Sequence, residues 1–264
     1  MHAKNSAHAS TPLPAYLLFI LLFLSLTAAL ISLTRALAGE DAALLHPSAG
    51  VTQSPPFSDL VFVIDAGHGG EDGGAVGYAN GSTVLEKDIN LAIATELAQQ
   101  LCDAGADAVL TRRSDTLLYD RNEDYEGRKK ALDMAARLAI AERAAADGRT
   151  VIFVSIHQNT FTDARYSGLQ VYYSANAGAS ARLAQHIQDT AREQLAPNND
   201  RATKVSHDIY LLKNLSCPAV LVECGFLSNP TECAALTTPQ YQTRVAYAIF
   251  CALRQYATER MQAS

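Results

Sequence analysis

The five cysteines, at positions 102, 217, 224, 233 and 251, include no CxxC pair and no dense spacing. A zinc knuckle or a disulfide scaffold is therefore excluded as the organising device. The odd count leaves at least one thiol free or paired outside the chain. Most of them sit in apolar company, as Cys251 does in AIFCAL, where a thiol behaves as a small buried hydrophobe. Basic residues are also short: 21 Lys and Arg stand against 27 Asp and Glu, for a formal net charge of −6. A nucleic-acid binder would show a basic face to phosphates, so no nucleic-acid partner is expected. There is no internal repeat. What remains is a chain of 264 residues, 48% apolar and 18% charged, enough for one sizeable domain and an appendage.

Charge is missing altogether from Leu13 to Thr34, where LLFILLFLSLTAALISL is dominated by Leu, Ile and Phe. About 20 helical residues at roughly 1.5 Å each cover the roughly 30 Å hydrocarbon core of a bilayer. Lys4 precedes this run, Arg35 follows it, and Ala36-Leu37-Ala38 before Gly39 resembles a signal-peptidase site. Export is expected. The apolar core exceeds the roughly 7 to 15 residues of a signal peptide, which favours an uncleaved anchor over removal after Ala38, and both stay open. Residues 1–38 are thus read as a signal or membrane anchor, 39–59 as a Pro-, Ser- and Gly-containing linker and 60–264 as the globular domain, working outside the cytoplasm.

The domain opens on VFVIDAGHGGEDGGAVG, Val61 to Gly77. Val61 to Ile64 is an apolar, β-branched run, as in a strand buried on both faces. Asp65 and His68 follow where glycine lets the backbone turn sharply beside an ion or substrate. Phosphate cradles are excluded. Asp72 stands where a dinucleotide loop needs its third glycine, Ala75 and Val76 replace the P-loop Lys and Ser/Thr, and Asp65, Glu71 and Asp72 would repel a polyphosphate.

Further along, Ile89, Ile93, Leu97 and Leu101 predict a helix over 85–104 with Glu86 on the same inward face. A carboxylate there needs a cap, an ion pair or a cation. A strand is expected at Ala108 to Thr111, then a solvated polar loop through Gly127. The helix over 132–146 is expected to turn Leu132, Ala136, Ala139 and Ile140 inward. Val151 to Ile156 predicts a second buried strand ending at His157, Leu169 to Tyr173 an edge strand, and Ser180 to Leu195 a helix with His186 at the surface. Pro197 to Lys204 reads as a polar loop. Ala219 to Val222 predicts the last central strand, with Glu223 at its end, and Tyr241 to Arg260 a closing helix. In open α/β sheets the ligand crevice lies outside the carboxyl ends of the strands, so His68, His157 and Glu223 should meet there. Two imidazoles and the Glu86 carboxylate are the ligand set of one catalytic zinc ion with a fourth position open to water. Glu223 is then free to take a proton from that water and pass it to a leaving amine.

The segments DAGHGGEDGGAVG, LEKDINLAIA, VSIHQN and VECGFLSNPTE stand in the order and at the spacings of the zinc-dependent N-acetylmuramoyl-L-alanine amidases of the bacterial cell wall, and the chain resembles that family from Val61 to about Tyr256. The resemblance implies one α/β domain with a mostly parallel central sheet flanked by helices. It implies His68, Glu86 and His157 as zinc ligands, Glu223 as the catalytic glutamate and, for Asn159 at a motif position near His157, a substrate-contact or orienting role. The substrate it implies is peptidoglycan, at the amide joining N-acetylmuramic acid to L-alanine. RKKALDMAARLAIA, IYLLKNLSCPAVLVECGFLSNPTE and the closing VAYAI resemble the germination-specific, spore-cortex branch more closely. Gln158 and Cys224 depart from the apolar residues expected at their positions, a difference bearing on packing more than on chemistry. Other readings are a general wall amidase in division or autolysis, a zinc peptidase acting within the stem peptide, and a wall-binding protein without catalysis. The membrane, through the N-terminal segment, and an unidentified accessory protein complete the expected partners.

Overall fold

The computed structural model describes residues 56–120, 122 and 125–263. The expected anchor over 1–38 and nearly all of the expected linker lie outside the described residues. Among the described residues no helix is long and apolar enough to cross a membrane.

Fourteen elements follow one another among the described residues: β1 (Leu60–Ala66), β2 (Val76–Ala79), β3 (Ser82–Leu85), α1 (Glu86–Asp103), β4 (Asp107–Leu110), α2 (Lys129–Ala144), β5 (Thr150–Asn159), β6 (Gln170–Ser174), α3 (Ala179–Leu195), β7 (Lys204–Ser206), α4 (Tyr210–Asn214), β8 (Ala219–Phe226), α5 (Pro230–Leu236) and α6 (Pro239–Gln262). Six strands form one sheet in the order β4-β1-β5-β8-β6-β7. All its pairs are parallel except β6 with β8. Every residue of β1 is buried, because helices cover both faces of the sheet. On one face α1, α3 and α6 pack through Ile93, Leu97, Ile187 and Ile249 onto Phe62, Ile64, Val154 and Val222. On the other, α2 and α4 pack through Ala141 and Leu212 onto Val63, Phe153 and Leu221. This is the mostly parallel α/β domain implied by the sequence.

Four local expectations are corrected. β6 is not an edge: Lys204 to Ser206, read as the end of a loop and the residues after it, pairs outside it as β7. The inward face of α2 is Asp133, Arg137 and Ala141 rather than the apolar set, because an ion pair is being buried there. The polar loop expected after Thr111 is not all solvated, since Arg112 is buried. His186 is half-buried, held between α3 and α6 with its Nε2 2.9 Å from Glu259. β2 and β3 make a separate hairpin whose two turn residues, Asn80 and Gly81, both take positive φ. An Asn-Gly pair is suited to that turn.

Candidate metal centre

Three strand ends build the site. β1 delivers the loop Gly67-His68, β5 delivers His157, and β8 delivers Glu223 in register with His157. Glu86 arrives from the first turn of α1.

The loop after β1 is held by two buried arginines. Arg112 donates to the carbonyls of Ala66 (2.8 Å) and Gly67 (3.0 Å). Arg137 donates to the carbonyls of Ala66 (2.8 Å) and His68 (2.7 Å) and pairs with Asp65 (2.6 Å) and Asp133 (2.8 Å). Asp65 also accepts from Ser155 Oγ and Thr111 Oγ1. Asp65 is thus a structural anchor. Clamped in this way, His68 adopts φ +61°, a left-handed conformation unusual outside glycine. Gly67 leaves room for the second histidine: a Cβ there would lie 2.2 Å from His157 Nε2.

The side chains of His68, Glu86 and His157 then converge. Their ligand atoms lie within 4.8 Å of one another. His68 Nε2 is 3.2 Å from Glu86 Oε2, His157 Nδ1 is 2.8 Å from Glu86 Oε1, and the two rings meet edge to face at 4.9 Å. Glu86 does not cap its helix. Its Oε2 accepts from Ala75 N (2.7 Å) and its Oε1 from Gln158 N (3.0 Å) and Asn90 Nδ2 (3.2 Å). Burial opposes the charge, yet the hydrogen bonds and charges of His157 and His68 hold Glu86 well below the usual carboxylate range. His68 is raised in turn, against burial, by Glu86 and by Asp72, whose Oδ2 lies 3.0 Å from His68 Nδ1.

Glu223 is different. Burial pushes its carboxyl up to about 7, with His157 opposing and Glu86 reinforcing the shift. Its Oε2 has no hydrogen-bond partner among the described residues. Asn159 sits outside this cluster, where the β5–β8 register shifts. Its side chain accepts from Thr160 N (2.8 Å) and its carbonyl from Leu227 N (2.8 Å). A cavity of about 150 Å³ opens beside His68 and His157, with Met134, Tyr210, Leu211 and Leu221 in its walls.

The donor set fits a zinc ion. Two imidazole nitrogens and a carboxylate held ionised give three ligands, and the outward contact of His68 Nδ1 with Asp72 fixes a tautomer that leaves Nε2 available. Arg112, Arg137 and Asp72 escape motif reading. The signal that could have found Arg137 is the Asp133/Arg137 pair four residues apart on one face of a helix.

The sequence profile of the family described as N-acetylmuramoyl-L-alanine amidase matches residues 62–255. The germination-specific N-acetylmuramoyl-L-alanine amidase of Bacillus subtilis is 37% identical over 207 residues, 78% of this chain and 84% of that protein. Among solved structures, the CwlD amidase of Clostridioides difficile, in complex with the GerS lipoprotein, superposes with TM-score 0.69 at 36% identity over 75% of this chain and 98% of its own. The amidase AmiC2 of Nostoc punctiforme gives 0.62 at 32% identity over 76% and 98%.

Proposed function

The chain belongs to the N-acetylmuramoyl-L-alanine amidase family, and from that membership we propose that it hydrolyses the amide between N-acetylmuramic acid and L-alanine in peptidoglycan, with zinc held by His68, Glu86 and His157. The observation that carries the reading is the convergence of these three ligands beside Glu223.

Bound zinc supplies a Lewis acid for the amide carbonyl and lowers the pKa of a water to about 7. The rest is done by the chain. Glu86 remains a carboxylate under the N–H donors of Ala75, Gln158 and Asn90. Glu223 accepts the proton of the attacking water on its carboxylate as the C–O bond forms, and returns it to the leaving L-alanine nitrogen as the C–N bond breaks. A carboxyl lifted by burial suits both halves of that transfer. Asn159, at the rim of β5, is the candidate contact for substrate.

The physiological substrate is spore cortex, on the strength of the similarity to the germination-specific enzyme. An accessory protein is expected because the similar CwlD amidase is found with a lipoprotein. Residues 60–264 form the catalytic domain, and the uncharged run from Leu13 to Thr34 exports the chain, either as a membrane anchor or as a signal removed after Ala38.

Mass spectrometry of vegetative sacculi and spore cortex digested by the full chain, with added zinc or with a chelator, tests the reading. Zinc-dependent release of stem peptides beginning with L-alanine is expected. A new D-alanine end would instead identify a stem-peptide peptidase, and zinc uptake with no release from either substrate would identify a binder.

A further inference from the structure

Behind Glu86, on the face covered by α1, lies a buried polar cluster that the reaction above does not use. Asn90, Gln158 and Cys224 are all buried, at 0, 3 and 1% exposure. The Asn90 amide nitrogen donates to Gly67 O (3.1 Å) and to Glu86 Oε1 (3.2 Å). Both of those atoms are pure acceptors, so only one orientation of the Asn90 amide satisfies them. That orientation turns Asn90 Oδ1 inward, where it would be an unsatisfied buried acceptor. Gln158 Nε2 reaches it at 3.2 Å. The Gln158 Oε1 left over has no hydrogen-bond partner among the described residues, and the nearby Cys224 thiol donates instead to Val222 O (3.6 Å).

We propose that Gln158 is a positioning residue for the metal centre: it locks the Asn90 amide with its nitrogen toward Glu86 and so fixes the carboxylate between His68 and His157. The departure from an apolar pattern at Gln158 then has an explanation. An apolar residue at position 158 would leave Asn90 Oδ1 a buried acceptor without a donor, so that the amide is held from the Gly67 and Glu86 side alone and its grip on Glu86 Oε1 is weakened. Gln158 thus serves Glu86 twice, through its backbone N–H at 3.0 Å and, by way of Asn90, through its side chain.

The inference rests on the zinc reading of the site, and the test separates the two. Zinc affinity of the full chain is measured by chelator competition for wild type, Gln158→Met, Asn90→Leu and the double variant, beside the melting temperature of each zinc-free protein. Removing an outer partner of a metal ligand typically weakens binding about 10- to 100-fold, and about 10-fold is expected for Gln158→Met with the zinc-free melting temperature held. In the Asn90→Leu background the same change adds nothing further, because the residue through which it acts is gone. Gln158→Ala makes the same comparison if the Met variant does not fold. Wild-type protein that takes up no zinc overturns the metal reading and this inference with it. Zinc-binding wild type with an unaltered Gln158→Met affinity, or losses that multiply in the double variant, overturns the inference alone.

Discussion

His157 and Glu223 hold matching register positions on the neighbouring parallel strands β5 and β8. Side chains opposite one another in a sheet leave the same face, so the imidazole and the carboxylate enter one crevice side by side. Their environments diverge. His157 spends Nδ1 on Glu86, whereas Glu223 keeps an oxygen that nothing in the described protein uses. One member of the pair is positioned to hold a cation, the other to move a proton.

Replacing Glu223 with Gln tests that division. The amide keeps the volume and removes the proton acceptor, so turnover on a muramoyl-peptide substrate is expected to fall by about 10²- to 10⁴-fold. Zinc content, read by atomic emission, is expected to remain at the wild-type level. Loss of metal in this variant would make Glu223 a ligand rather than a base.

Much of this was legible in the sequence because each principal residue adjoins or shares an apolar pattern. His157 and Glu223 follow apolar runs, His68 comes after a third, and Glu86 shares the helical spacing of Ile89, Ile93 and Leu97. What could not be read was the set of groups that holds them. Arg112 lies in a segment of mixed charge that gives no sign of burial, and Arg137 sits on a helix whose alanines and leucines suggest a different inward face. Both are buried because they meet carbonyls of the loop after β1, and sequence periodicity carries no record of such long-range partners. β7 is hidden for a similar reason: three residues pairing at a sheet edge leave too short a pattern to recognise.

The contact between Gly67 and the His157 ring gives a second prediction. Gly67→Ala places a methyl 2.2 Å from Nε2, inside any tolerable contact, so the ring or the loop must move. Because the ring also meets Glu86, zinc affinity and activity are expected to fall together. The fold, monitored by far-ultraviolet circular dichroism, is expected to persist, since the clash concerns one side chain at the rim of the sheet. Wild-type zinc affinity in this variant would show that the ring position is not required.

Asp72 supports His68 from the side away from Glu86, at 3.0 Å from Nδ1. The loop folds it back by paired backbone hydrogen bonds between Gly69 and Asp72. Asp72→Ala frees the imidazole to rotate and to exchange tautomers, for which a loss of about 10- to 100-fold in zinc affinity is expected. Asp72→Asn retains an acceptor and is expected to lose less. Equal losses in the two variants would mean that charge, and not orientation, is what Asp72 contributes.

The buried pairing of Asp65 with Arg137 contributes to the acid stability of the domain, beside the depressed carboxyls of Glu86 and Asp72. Arg137 is fully buried between the two carboxylates, and breaking a buried pair by removing one partner costs about 3 to 5 kcal/mol. Arg137→Met is expected to lose that much in urea denaturation at pH 7, and the loop carrying His68 loses two carbonyl contacts with it. The pH dependence has a definite sign. Against the cost of burial, Arg137, Ser155 and Thr111 hold the Asp65 carboxyl below its ordinary value. An acid whose folded pKa is depressed binds its proton more readily in the unfolded chain, so its stabilisation is complete above about pH 4 and disappears as pH falls through the lower, folded value. Zinc-free wild type, used so that metal release at low pH does not contribute, is therefore expected to lose stability steeply below about pH 4. Asp65→Asn, already weaker at neutral pH, is expected to show a shallower acid limb. Parallel acid limbs in the two proteins would place the titrating group elsewhere.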